Sequence, residues 1–256
     1  VLTFIIFVYA FLITFSLNVI TSDGHKSRLP EILQGSVSQA PWDLLKNSDN
    51  ENCHHNSKGC QFNIISNQKV YLIGDSHAAS IMFDLKQQVV KKNYQFNTFT
   101  FGGCGYFPGF DQILIKTQKI SDKCNNDYFL KLKENLLKEK NQIFIFMLRF
   151  PVYLTGYGFD NKEGGIEGGG IKPIKWSTGY ISNGKYESLQ NSFKNEVLEL
   201  SKNNKIILVY PFPEAGWHPN RKIFIERKNK FSNNYALVNT STDYKIYKSR
   251  NGRRTS

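Results

Sequence analysis

The chain has 256 residues, 40% of them hydrophobic and 21% charged, which is an ordinary globular composition. Its 33 Lys and Arg against 21 Asp and Glu give a formal net charge of +12. No Lys/Arg block dominates and no strand interleaves aromatic with basic residues, so the excess reads as compositional drift and speaks against a nucleic-acid partner.

Residues 1–20 (VLTFIIFVYAFLITFSLNVI) carry no charge. That length of apolar sequence matches the hydrocarbon thickness of a bilayer, so a transmembrane helix is expected. A secretory signal would want a basic start, a shorter apolar core and a small-residue cleavage site, and none is present. The first residue is Val, and we expect a chain whose upstream part is missing. Residues 21–64 are polar and mixed, with Gly24, Pro30, Gly35 and Pro41. They read as an extracytoplasmic linker that becomes ordered near the first cysteines.

From residue 65 to 256 a single domain is expected, with about 190 residues and a real core. Lys69–Ile73 predicts a short apolar strand, and His77–Lys92 a helix through Ile81, Met82, Leu85 and Val89. Tyr94–Phe101 alternates as a strand, and Asn126–Lys140 has the spacing of an amphipathic helix. Gln142–Leu148 and Lys205–Tyr210 are continuous apolar runs, as in strands buried on both faces, with a helix over Ser188–Asn203 between them. The Gly-rich stretch Lys162–Ile171 has no phosphate-loop pattern and reads as a mobile loop. The basic end (Lys248, Arg250, Arg253, Arg254) reads as a solvated tail. Strands alternating with helices imply a parallel sheet in a flavodoxin-like three-layer α/β/α sandwich, with ligands at the carboxyl ends of the strands.

The four cysteines contain no CxxC pair, which speaks against a zinc site or any other metal centre. In an extracytoplasmic domain two local disulfides, Cys53 with Cys60 and Cys104 with Cys124, are preferred among the three possible pairings.

Chemistry points to Gly74-Asp75-Ser76-His77, directly after the first strand and opening a helix. A serine at such a turn has its hydroxyl at the sheet's carboxyl edge, and the helix N-terminus favours a developing oxyanion. Gly74 lets the chain turn tightly. The competing reading is that Asp75 or Ser76 only caps the helix.

Leu72-Ile73-Gly74-Asp75-Ser76 resembles block I of the SGNH hydrolase superfamily. The wider order is similar to the C-terminal SGNH domain fused to acyltransferase-3 family membrane proteins, which O-acetylate cell-surface sugars. It comprises an apolar helix, Ser27-Arg28-Leu29-Pro30, block I, Gly103-Cys104, Leu148-Arg149-Phe150, and Tyr210-Pro211-Phe212-Pro213-Glu214-Ala215-Gly216-Trp217. The resemblance implies that Ser76 is the nucleophile and that its N–H and that of Gly103 form part of an oxyanion hole. Arg149, ending a buried strand, should reach the same edge. There it would bind a carboxylate or a sugar oxygen, or else form a structural ion pair.

Two departures stand out. The strand end Leu148-Arg149-Phe150-Pro151 lacks the Asn that the superfamily's third block supplies, and no Asp-x-x-His motif is present to provide the base. His25, His54, His55, His77 and His218 each read as structural, and the expectation is a chain that stops before the last block. The function implied is an O-acyltransferase, of acetyl in the first instance. It would take an acyl donor from a missing membrane acyltransferase domain and pass it to a surface polysaccharide, in or on the lipid bilayer of a bacterial membrane and without a cofactor. The alternatives are a membrane-tethered esterase of the same fold and a degenerate glycan-binding domain.

Overall fold

The computed structural model describes residues 2–22, 24–25, 45–114, 117–156, 158–167, 175–177, 187–219, 222–223, 225–226 and 241–251. They fall into two compact units, one drawn from residues 1–41 and 217–240 and the other from residues 42–216 and 241–256. In the first unit, α1 (Leu2–Thr21) is a 20-residue helix. At 1.5 Å per residue it is about 30 Å long, and with a hydropathy of 2.2 it is apolar enough to cross a membrane. The hydroxyls of Thr14 and Thr21 donate to carbonyls four residues back, Ala10 and Leu17, so these polar groups are satisfied within the helix. Also in this unit, the Lys222 ammonium lies 3.2 Å over the ring of Trp217.

The second unit runs β1 (Cys60–Phe62), β2 (Lys69–Gly74), α2 (Ser76–Lys91), β3 (Gln95–Thr100), β4 (Gln112–Leu114), β5 (Lys119–Ile120), α3 (Asn126–Leu137), β6 (Ile143–Met147), α4 (Phe150–Thr155), β7 (Lys175–Trp176), α5 (Glu187–Ser201), β8 (Lys205–Val209) and α6 (Tyr244–Asn251). The main sheet has the order β1-β3-β2-β6-β8. Its four longer strands are parallel, as the alternation of strands and helices predicts. Register aligns Gly74 with Thr100 on one side and Met147 on the other, so three strands end together at one carboxyl edge.

The alternating side chains of these strands serve two cores. Val70, Leu72 and Phe96 pack with Ala78, Met82 and Val89 of α2 on one face. Tyr71, Ile73, Phe144 and Phe146 pack with Phe129, Leu132 and Leu136 of α3 and Leu189 and Phe193 of α5 on the other. Both helices that follow a strand or loop into these layers start on a side-chain cap. Asp75 accepts from the His77 N–H at α2, and Asn125 from the Tyr128 N–H at α3.

The structure adds to and corrects the sequence reading in several places. The sheet is mixed, because β1 pairs antiparallel with β3. At three residues, β1 is too short to carry a period-2 signal, and it is fixed by the Cys53–Cys60 disulfide beside it. A small antiparallel sheet, β5-β4-β7, also escaped the reading. β8 is not buried on both faces: Ile207 and Leu208 are 39% and 53% exposed. β8 is the last strand of its sheet, and no described residue pairs with its outer edge. Lys248 and Arg250 belong to α6, whose first turn is held by Asp243: its carboxyl accepts the Lys245 N–H at 2.8 Å and its carbonyl the Ile246 N–H. In the Gly-rich stretch, Asn161 Oδ1 accepts from the N–H groups of Glu163 and Gly165, while residues 168–171 lie outside the described residues. The linker's residues 26–44 also lie outside them, and Leu45, Cys53 and Cys60 are buried in the core.

Candidate active site

β2 delivers Gly74 to the carboxyl edge against the backbone of β6. A Cβ at Gly74 would sit 1.9 Å from the Met147 carbonyl oxygen, so no other residue fits there without separating the strands. Asp75 follows, 1% exposed, with its carboxyl oxygens fully engaged. Oδ1 accepts the His77 N–H at 2.8 Å. Oδ2 accepts the Arg149 N–H at 2.8 Å and the Tyr153 hydroxyl at 2.7 Å. Burial, and then the neighbouring Asp75 charge, pushes the Tyr153 hydroxyl well above its ordinary range, so it stays protonated and donates. Asp75 is therefore the helix cap and also the clasp that ties the end of β6 to the start of α2. Ser76 is the first residue of α2 and half-buried. Its N–H is one of the helix's unpaired N-terminal donors, beside the positive end of the helix dipole.

The second candidate donor lies after β3. The Cys104 N–H bonds the Phe101 carbonyl, closing the four-residue turn Phe101-Gly102-Gly103-Cys104. Gly103 has φ +68°, the left-handed conformation that a type II turn demands at its third position. A Cβ there would meet nothing within 4 Å, so conformation and not crowding calls for glycine. The neighbouring Gly102 is crowded instead: a Cβ would lie 2.9 Å from His55 Cε1. The Phe101 N–H donates to the Gly74 carbonyl at 3.1 Å, which fastens this turn to the Ser76 strand. Cys104 is bonded to Cys124 and Cys53 to Cys60, the preferred pairings, so covalent links hold both the turn and the segment packed on it.

Arg149 does stand at the same edge. Its guanidinium is taken up by carboxylates: Nε donates to Glu214 Oε1 at 2.6 Å, and Nη2 pairs with both Glu214 and Glu167. Glu214 comes from the Pro213-Glu214-Ala215-Gly216 stretch, which is fixed on both sides. The Ala215 carbonyl accepts from Asn161 Nδ2 and from the Thr242 hydroxyl.

The family model of the SGNH domain, the kind fused to AT3 domains, matches residues 40–253. The chain belongs to this family. A search of curated proteins finds no match. Among solved structures, the periplasmic domain of a lipopolysaccharide acetyltransferase from Salmonella ser. Paratyphi A is similar. It has 14% identity over 79% of this chain and 69% of that one, with a TM-score of 0.44.

In this SGNH-family chain the five histidines divide by place. His25 and His218 belong to the unit that holds α1. The ring of His77 lies 5.7 Å from that of Phe212. His54 and His55 are the ones brought to the Gly102–Gly103 turn, with ring centroids 4.0 Å apart against Gly102. His54 Nδ1 is 3.1 Å from the Thr100 hydroxyl. No local pattern signals this placement, because it depends on the Cys53–Cys60 disulfide and on a single backbone bridge between His54 and Thr100. Tyr153, Glu167 and Asn161 were likewise missed. Glu214 alone carried a signal, since it stands in a quoted motif.

Burial, and then the neighbouring His55, lowers the His54 pKa to about 4. The unfolded chain then takes up this proton near pH 6.5, before the folded domain does. Stability from His54 is present in full above about pH 6.5 and is lost as pH falls toward 4. Thermal melts across that range should show a decline, and the decline should be shallower in His54→Gln, which keeps a polar partner for Thr100. Identical slopes for the two proteins would contradict this.

Proposed function

We propose that this domain transfers an acyl group, acetyl in the first instance, to a cell-surface glycan through an acyl-serine at Ser76. The observation that carries the reading is the placement of Ser76. It is held at the N-terminus of α2 by a buried cap, with the Gly103 turn tied to the same strand by the Phe101–Gly74 hydrogen bond. A tetrahedral oxyanion formed on Ser76 would meet the Ser76 and Gly103 N–H groups and the helix dipole. The serine hydroxyl adds to the donor's carbonyl, its proton passes to a base and the donor's leaving group departs. A sugar hydroxyl then takes the acyl group and regenerates serine. The acyl donor is handled by an AT3 membrane domain, the partner that gives the family its description. The catalytic unit is extracytoplasmic, with α1 in the lipid bilayer. Two disulfides fit that side of the membrane.

Arg149 serves this site by holding Glu214 and Glu167 at the sheet edge. A fluorophosphonate probe tests the nucleophile. Labelling of the wild type that is absent in Ser76→Ala supports the reading. Free imidazole is expected to raise the labelling rate where the base is wanting. Equal labelling of both proteins, or none in a folded wild type with imidazole present, would overturn it. A non-enzymatic glycan-binding domain would then be the better reading.

A further inference from the structure

The face of the sheet opposite α2 is not fully covered. α3 packs through Leu132 and Leu136 with Tyr71 and Ile73 of β2, and Gln61 of β1 and Phe99 of β3 lie to its side. Between them runs a groove of about 730 Å³, within the range of ligand sites. Half-buried Phe99 and Tyr128 are among its lining residues, together with Tyr71 of β2. Gln61 of β1 and Asn135 of α3 are exposed amides on its walls. Its charges balance: Lys58, Lys131 and Lys138 stand against Asp122, Asp127 and Glu139. Along α3 the groove is as long as 12 residues of helix, about 18 Å.

Under this groove lies a polar group that the fold leaves unserved. Asn97 is 1% exposed, and its Nδ2 has no hydrogen-bond partner among the described residues. Register places Asn97 between Gln61 and Tyr71, which share its face of the sheet and both line the groove. A buried amide donor without an acceptor costs stability, and a ligand or its bound water supplies one. The side chains of Gln61, Asp127 and Lys131 likewise have no hydrogen-bond partner among the described residues. One lining ring, Tyr128, touches Phe101, the residue that begins the Gly102–Gly103 turn. Phe101, the residue before Gly102, lies 5.2 Å edge-on to Tyr128 and 5.8 Å from His55.

We propose that this groove is the acceptor subsite, and that it binds a neutral oligosaccharide lying along α3 with one hydroxyl presented at the Gly102–Gly103 turn. Aromatic rings in the floor suit the C–H faces of sugars, and planar amides and carboxylates on the walls suit their paired hydroxyls. The balanced charge disfavours a polyanion. The acceptor role rests on the acyl-transfer reading of Ser76; the binding itself does not.

Saturation-transfer difference NMR on the full chain tests it, with maltohexaose and N-acetylglucosamine tetramer as neutral probes and a galacturonic acid hexamer as the charged one. Saturation should reach the ring protons of at least one neutral probe and exceed that on the charged one. The surface variant Gln61→Ala/Lys131→Ala should lower it about fivefold, as expected for one or two lost hydrogen bonds, with an unchanged melting temperature. No transfer to either neutral probe, stronger transfer to the anionic one, or equal transfer in the variant would overturn the proposal. Glycan binding without Ser76 labelling would leave the groove standing and remove the acyl-enzyme.

Discussion

Replacing Gly74 by alanine is expected to cost about 4 kcal/mol or more, a fall in melting temperature of roughly 8–16 °C. The added carbon would lie 1.9 Å from the Met147 carbonyl oxygen and 2.8 Å from Ala78 Cβ. The first contact is with backbone in the middle of the sheet, so no rotamer relieves it. β2 and β6 must separate, and their paired residues from Val70–Ile143 to Gly74–Met147 feel the shift. Gly103→Ala is the informative comparison. There the space is open and only the positive φ is strained, at roughly 1–2 kcal/mol. Thermal melts of the two variants should therefore differ by several degrees. Equal, small effects would show that β2 and β6 are not in the register described.

The second large effect is at Asp75. Asp75→Ala removes a helix cap, worth about 1 kcal/mol. It also leaves the buried Tyr153 hydroxyl and the Arg149 N–H without an acceptor, about 1–3 kcal/mol each. The total expected is roughly 3–7 kcal/mol, and labelling of Ser76 should fall with it because the turn loses its clasp. Tyr153→Phe removes one partner only and should cost about 1 kcal/mol. The double variant should lose less than the sum, because the hydroxyl that Asp75→Ala orphans is then gone. Strict additivity in denaturant titrations would show that the two side chains do not share this bond.

These two residues mark what could be read from the sequence. A run of apolar residues ending in Gly-Asp-Ser and opening a helical pattern is a local signal, so β2, α2 and the place of Ser76 were legible. The same holds for β6, α5 and the parallel order. Asp75 was legible as a cap but not as a clasp, because Tyr153 lies 78 positions away in the chain. The pairing of Arg149 with Glu214 and Glu167 spans 65 and 18 positions and follows from no periodicity. β1 and the β4–β5–β7 sheet are strands of two or three residues, fixed by tertiary contacts. β8 has the composition of a central strand but stands at the edge of the sheet, a matter of neighbours that its own residues do not encode. His54 and His55 were read as structural residues ahead of the core. The structure sets them against Gly102 and Thr100, beside the turn that carries Gly103.

Intact-mass spectrometry of the domain mixed with p-nitrophenyl acetate, with Ser76→Ala alongside, tests the acyl-serine most directly. One acetyl group on the wild type, mapped to Ser76 by peptide digestion and absent from the variant, is the predicted result. A folded wild type that gains no acetyl group at Ser76, with or without added imidazole, would contradict it.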